Sequence, residues 1–154
     1  MGKQLMKGLL ILFFLSCQNK TDSPATSGSN TEVDDANDTG LTKGCYEYRD
    51  GENSIEFEIT DTGSEVRGNL TYAFSGKDAN KGTFTGKLID DTLIGTYTFY
   101  SEGVESSREV AFMHVQDRLI EGYGPMSQAG TKFRNRKAIS FSTKMPLAKT
   151  DCQQ

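Results

Sequence analysis

Between Ile55 and Tyr123, apolar and polar residues trade places at every second position, and no other feature constrains the fold as strongly. Ile55, Phe57 and Ile59 alternate with Glu56 and Glu58, and Val66, Leu70, Tyr72 and Phe74 share a face against Arg67, Asn69 and Thr71. Phe84 with Leu88, Leu93 with Tyr97 and Phe99, Val110 with Phe112, and the run Leu119 to Tyr123 continue the pattern. A period of two sends successive side chains to opposite faces of a sheet, so each run reads as a strand with one buried and one wet face. Turn residues separate the runs at Asp50-Gly51, Asp61-Thr62-Gly63, Asp90-Asp91 and Gln116-Asp117. Weaker strand candidates lie near Lys132 to Arg134 and Ile139 to Phe141, and no helical periodicity of useful length is present. Consecutive strands joined by short turns make a meander, and closing a long meander removes its two unpaired edges. Gly68, Gly86, Gly95 and Gly122 fall in mid-strand, where they permit the sharp coiling that closure needs. The expected fold is all-β: a single antiparallel meander forming a small closed or nearly closed barrel of about eight strands. A two-sheet β-sandwich is the alternative.

The first residues read as an address. Lys3 and Lys7 precede seven uninterrupted apolar residues, Leu9 to Leu15, and then Ser16-Cys17. A cationic start, a short apolar core and a small residue at the cut form a secretory signal, too short to span a bilayer as a helix. Phe14-Leu15-Ser16-Cys17 resembles a bacterial lipobox, with Phe14 in place of the usual Leu. That resemblance implies that Cys17 becomes the diacylglyceryl-modified first residue, carrying acyl chains such as palmitate. Each buried methylene of such chains contributes ~0.8 kcal/mol of anchoring. Gln18 follows the cysteine, which by bacterial sorting rules implies the outer membrane, at its periplasmic face or the cell surface.

Residues 18–43 hold two isolated hydrophobes, Val33 and Leu41, among Ser, Thr, Asn, Asp and Gly. Such a stretch buries too little apolar area to offset its ordering entropy, so a disordered tether is expected, with a reach on the order of 25–30 Å. The expected division is a signal peptide over 1–16, a lipidated cysteine and tether over 17–43, and a barrel domain over 44–154.

Three cysteines are an odd number for an exported chain. Lipidation of Cys17 leaves Cys45 and Cys152, which an oxidising compartment would pair, fastening the C-terminal tail to the first strand. Two free thiols are the alternative. Charge gives the tail a second reason to dock: residues 44–124 carry seven basic and fifteen acidic residues, whereas 125–154 carry six basic residues and one acid. The tail should lie on the acidic meander or face membrane phosphates. The overall charge of −4 argues against nucleic acid as a partner, since counterion displacement needs a basic face.

Chemistry-bearing constellations are sparse. His114 is the sole histidine, and a lone histidine without free cysteines makes no zinc site. Asp78-Ala79-Asn80-Lys81-Gly82 begins like a calcium loop but has Lys81 in its middle and lacks the bidentate Glu. No nucleophile elbow or phosphate-cradling loop appears. No enzyme activity, metal or cofactor is therefore expected. The segment Ser101 to Glu109 gathers Glu102, Glu105, Glu109 and Arg108 at one barrel end, where loops on rigid scaffolds often carry binding.

The strings Lys81-Gly82-Thr83-Phe84-x-Gly86, Leu93-x-Gly95-Thr96-Tyr97-Thr98-Phe99 and Ser101-Glu102-Gly103-Val104-Glu105-Ser106 resemble small lipoproteins of Bacteroidota. So do Gly44-Cys45-Tyr46, Ile120-Glu121-Gly122-Tyr123-Gly124 and the ending Met145-Pro146-Leu147-x-Lys149-Thr150-Asp151-Cys152. The resemblance covers about 44–152 and implies an envelope location without implying an activity.

Two functional expectations follow. The first is a binding module with a small apolar ligand in the barrel, lined by Tyr72, Phe74, Phe84, Tyr97, Phe99 and Phe112, with a core filled by these same side chains as the reading to be overturned. The second is an envelope structural or interaction protein, or an inhibitor, using Glu102, Glu105 and Arg108 on the 101–109 loop. In either case the chain is expected to be a monomer held at the membrane through Cys17.

Overall fold

The computed structural model describes residues 40–152. The signal, Cys17 and most of the tether fall outside the described residues. Nine strands follow one another: β1 (Gly44–Asp50), β2 (Asn53–Thr62), β3 (Val66–Ala73), β4 (Asn80–Ile89), β5 (Thr92–Ser101), β6 (Val104–Val115), β7 (Arg118–Tyr123), β8 (Ser140–Phe141) and β9 (Leu147–Thr150). Neighbours from β1 to β7 pair antiparallel in sequence order, as a meander requires.

The barrel closes through β9. Its residues 148–150 pair with Glu47, Tyr46 and Cys45 of β1, and Leu147 and Ala148 pair with Leu119 and Arg118 of β7. The result is a closed antiparallel barrel of eight strands, with β8 added on β7 through Gly122↔Phe141 and Tyr123↔Ser140. The closing strand carries only Leu147 as a buried residue, followed by three exposed ones, so it has almost no periodic signature. The expected strand at 132–134 is instead a single bridge, Met126↔Phe133, and a 3-10 turn spans Arg136–Ala138. The disulfide between Cys45 and Cys152 forms, with Cα atoms 5.1 Å apart, and bolts the end of β9 to β1.

The basic tail does lie on the acidic meander. Arg136 Nη2 is 2.6 Å from Glu109 Oε1, and the N–H of Phe133 donates to the other oxygen of the same carboxylate at 3.0 Å. Glu109 points out of the barrel yet is only 9% exposed, because residues 131–136 cover it.

Inward residues fill the middle of the barrel. The Phe57 ring lies 5.1 Å from Phe84 and 5.2 Å from Phe112, with Leu70, Leu93, Leu119 and Leu147 fully buried around them. Each such side chain contributes ~1.5–3 kcal/mol of burial. Gly86 and Gly95 are cross-strand partners, and a Cβ on them would come within 2.5 and 2.7 Å of the Phe84 ring tip. Their missing side chains let that ring reach the backbone, the role expected of mid-strand glycine in a coiled sheet.

Leu41, three residues ahead of β1 at the end that carries the turns at Gly63, Asp90-Asp91 and Gln116-Asp117, is 7% exposed and belongs to the core. The packed unit thus begins ahead of the boundary at residue 44 expected from the alternation. An isolated leucine shows no period, so alternation gave it no place in the core. His114 sits at this same end, with its Cε1 3.6 Å from where a Cβ on Gly40 would stand. The opposite end, the mouth, is ringed by the β1–β2 turn, residues 74–79, the β5–β6 turn and the end of β7.

Candidate functional site

Strand parity decides which side chains meet at the mouth. On β6, Phe112 and Val110 are buried in the core, so Arg108 two residues earlier also faces in, while Glu105 and Glu109 face out. On β7, Leu119 is buried and Glu121 pairs across from Phe112, which turns its carboxylate into the barrel together with the Tyr123 ring. Tyr72 and Phe74 of β3 and Tyr97 and Phe99 of β5 complete the set.

Glu121 is 6% exposed, a carboxylate in a core position. The Tyr72 hydroxyl donates to Oε1 and the Tyr123 hydroxyl to Oε2, both at 2.7 Å. Burial raises its pKa above the ordinary glutamate range, while the Tyr123 and Tyr72 bonds and the Arg108 charge pull it back. Burial, then the Glu121 charge and hydrogen bond, holds Tyr72 well above the ordinary phenol value. Burial and Glu121 raise Tyr123 in the same way. Tyr97 is pushed up to about 12 by burial, against the lowering effect of Arg108, and donates to the Asn80 carbonyl at 2.8 Å. All three phenols therefore stay neutral donors at physiological pH.

Arg108 rests on aromatic faces. Its Cζ lies 5.0 Å from the centre of the Tyr72 ring, 5.9 Å from Tyr97 and 6.0 Å from Phe99. These are cation–π distances. The Tyr97 and Phe99 rings stack at 4.8 Å with planes 15° apart. Among the described residues no ion pair includes Arg108, and its buried Nε has no hydrogen-bond acceptor. A cavity of about 430 Å3 opens beside this cluster, bounded by Tyr72, Phe74, Arg108 and Glu121 and, from the tail, by Met126, Phe133 and Met145. That volume falls within the roughly 300–1,000 Å3 usual for small-molecule sites.

The expected site residues are thus divided. Tyr72, Phe74, Tyr97, Phe99 and Arg108 come together at the mouth. Glu102 and Glu105 remain outside on the β5–β6 hairpin, where Glu102 and Gly103 form a two-residue turn with φ of 52° and 78° and Tyr100 donates to Glu105 at 3.0 Å. The expected 101–109 loop is therefore mostly strand: β6 begins at Val104, and alternation sends Arg108 in and the acids out. Glu121, which sequence reasoning passed over, had a legible signal, since it sits at an inward position between Leu119 and Tyr123. Met126, Phe133 and Met145 had none, because they reach the mouth from irregular segments. Cys45, Cys152 and Glu58 cluster closely enough to hold a metal, but the two sulfurs are bonded to each other and offer no thiolate.

No protein family, curated protein or solved structure matches the chain.

Proposed function

We propose that this chain is a lipid-anchored binding module of the cell envelope, most consistent with the outer membrane, whose barrel mouth holds one small, largely apolar ligand. The observation that carries this reading is the contrast within the barrel: its middle is occupied by fully buried side chains, whereas the mouth keeps a cavity of about 430 Å3 beside buried polar groups. Aromatic and methionine side chains offer a ligand apolar contact, and Glu121, Tyr72, Tyr123 and Arg108 offer a few fixed polar points. The Cys45–Cys152 bond supports an oxidising, extracytoplasmic setting, and the lipobox-like residues before Cys17 support the anchor.

Titration with N-phenylnaphthylamine, a neutral fluorophore that brightens in apolar surroundings, tests the reading. Saturable binding at one dye per barrel is expected, weakened at least tenfold in Met145→Trp, where a bulky ring fills the cavity. Absence of saturable binding to the unsubstituted protein would refute the proposal. A second reading, an envelope interaction protein using the β5–β6 hairpin, is favoured by the exposure of Tyr100 and Val104, 61% and 65%.

A further inference from the structure

The polar groups of the mouth are not equally provided for. Each Glu121 oxygen already accepts a phenol hydrogen at 2.7 Å, and the Tyr97 hydroxyl is spent on the Asn80 carbonyl. Arg108 alone is unmatched: it borders the cavity, forms no ion pair among the described residues, and has a solvent-shielded Nε with nothing to donate to. The shielded Nε is closed to a ligand as it is to water, so the complementarity lies with the cation as a whole: a guanidinium that borders an open cavity without an ion pair favours an anionic oxygen acceptor there. Aromatic cages also recognise ammonium groups. Here the chain's own cation already occupies the faces of Tyr72, Tyr97 and Phe99, so a second cation would meet repulsion instead of a free ring.

We propose that the mouth takes an amphiphile with a single carboxylate, its headgroup on Arg108 and its apolar body among Phe74, Met126, Phe133 and Met145. The planar fork of one guanidinium matches a carboxylate in shape and charge. A phosphate monoester, with a charge approaching −2, exceeds what one cation beside the buried Glu121 carboxylate can balance. The apolar part follows from the cavity wall, where the tail segment contributes two methionines and a phenylalanine. This inference rests on the ligand-binding reading and adds the class of ligand to it.

Calorimetric titration of the folded barrel with decanoate, decanol and decylammonium in mildly alkaline buffer tests it, because the three probes share a tail and differ in head charge. Decanoate is expected to bind roughly ten- to a hundredfold more tightly than decanol, the span of a charge-assisted hydrogen bond, and decylammonium most weakly. Arg108→Gln should bring decanoate to within about twofold of decanol measured on the same variant, whereas Arg108→Lys, which keeps charge without the fork, should retain part of the preference. The comparison on the unsubstituted protein stands even if a variant unfolds. Decanol binding as tightly as decanoate, or decylammonium binding best, overturns the carboxylate assignment and leaves the binding module intact. If none of the three probes binds, the carboxylate assignment falls, and a matching failure of the neutral dye removes the binding module with it.

Discussion

Glu121 shows how a single position couples the core to the mouth. Its carboxylate is held by Tyr72 and Tyr123 and lies near the Arg108 charge, yet burial still leaves its pKa above the ordinary range. A carboxyl that binds its proton more tightly in the folded state stabilises the fold fully at pH below its unfolded value. That contribution is lost as pH climbs through the raised folded value. In Glu121→Gln the amide oxygen accepts from one phenol and the amide nitrogen donates to the other phenol oxygen, and the group no longer titrates. The stability of the variant relative to the unsubstituted protein should therefore rise with pH, starting from the ordinary glutamate range of about 4.3. Urea unfolding at about pH 4 and about pH 8 measures that difference. A difference that stays flat or shrinks with pH would contradict the burial of this carboxylate. Glu121 was readable as an acid at an inward register position. Tyr123, two residues on at the same face, was readable with it; Tyr72, 49 residues away along the chain, was not.

At the scale of elements, the short strand β9 decides whether the meander is a barrel or an open sheet. It has four residues, of which one is buried, and shares few pairs with either neighbour. So short an element depends on its covalent fastening. The Cys45–Cys152 bond encloses a separation of 107 residues, for which loop entropy implies a contribution of about 5 kcal/mol as an upper figure. The double variant Cys45→Ser, Cys152→Ser should lose roughly 2–4 kcal/mol, with hydrogen exchange accelerating first at β9 and the facing part of β1. Unchanged exchange there would mean that strand pairing alone closes the barrel. The strands from β2 to β7 were legible because each has one face in the core. β9 was not, because its place is set by two partners more than a hundred and nearly thirty residues upstream, Cys45 and Leu119.

For the whole molecule, two sulfurs close the fold, and the proposed function gives the third, on Cys17, to the membrane. Under the proposed reading, in which Cys17 serves the anchor alone, Cys17→Ser should move the protein from the membrane to the soluble fraction and leave the barrel's melting temperature within about 1 °C. Retention in the membrane after this substitution would defeat the anchor. The sequence by itself determined the strand periods, the turns, the two cysteines free to pair and the all-β class, because these follow from local alternation, turn chemistry and count. Only the tertiary structure decided that Arg108 meets the faces of Tyr72, Tyr97 and Phe99 without an acid partner among the described residues, and that Leu41 joins the core. It also decided that an irregular tail walls a cavity at the mouth. The physical reason is that alternation fixes which residues share a face, whereas the meeting of distant faces, and the space left between them, depends on how the sheet closes.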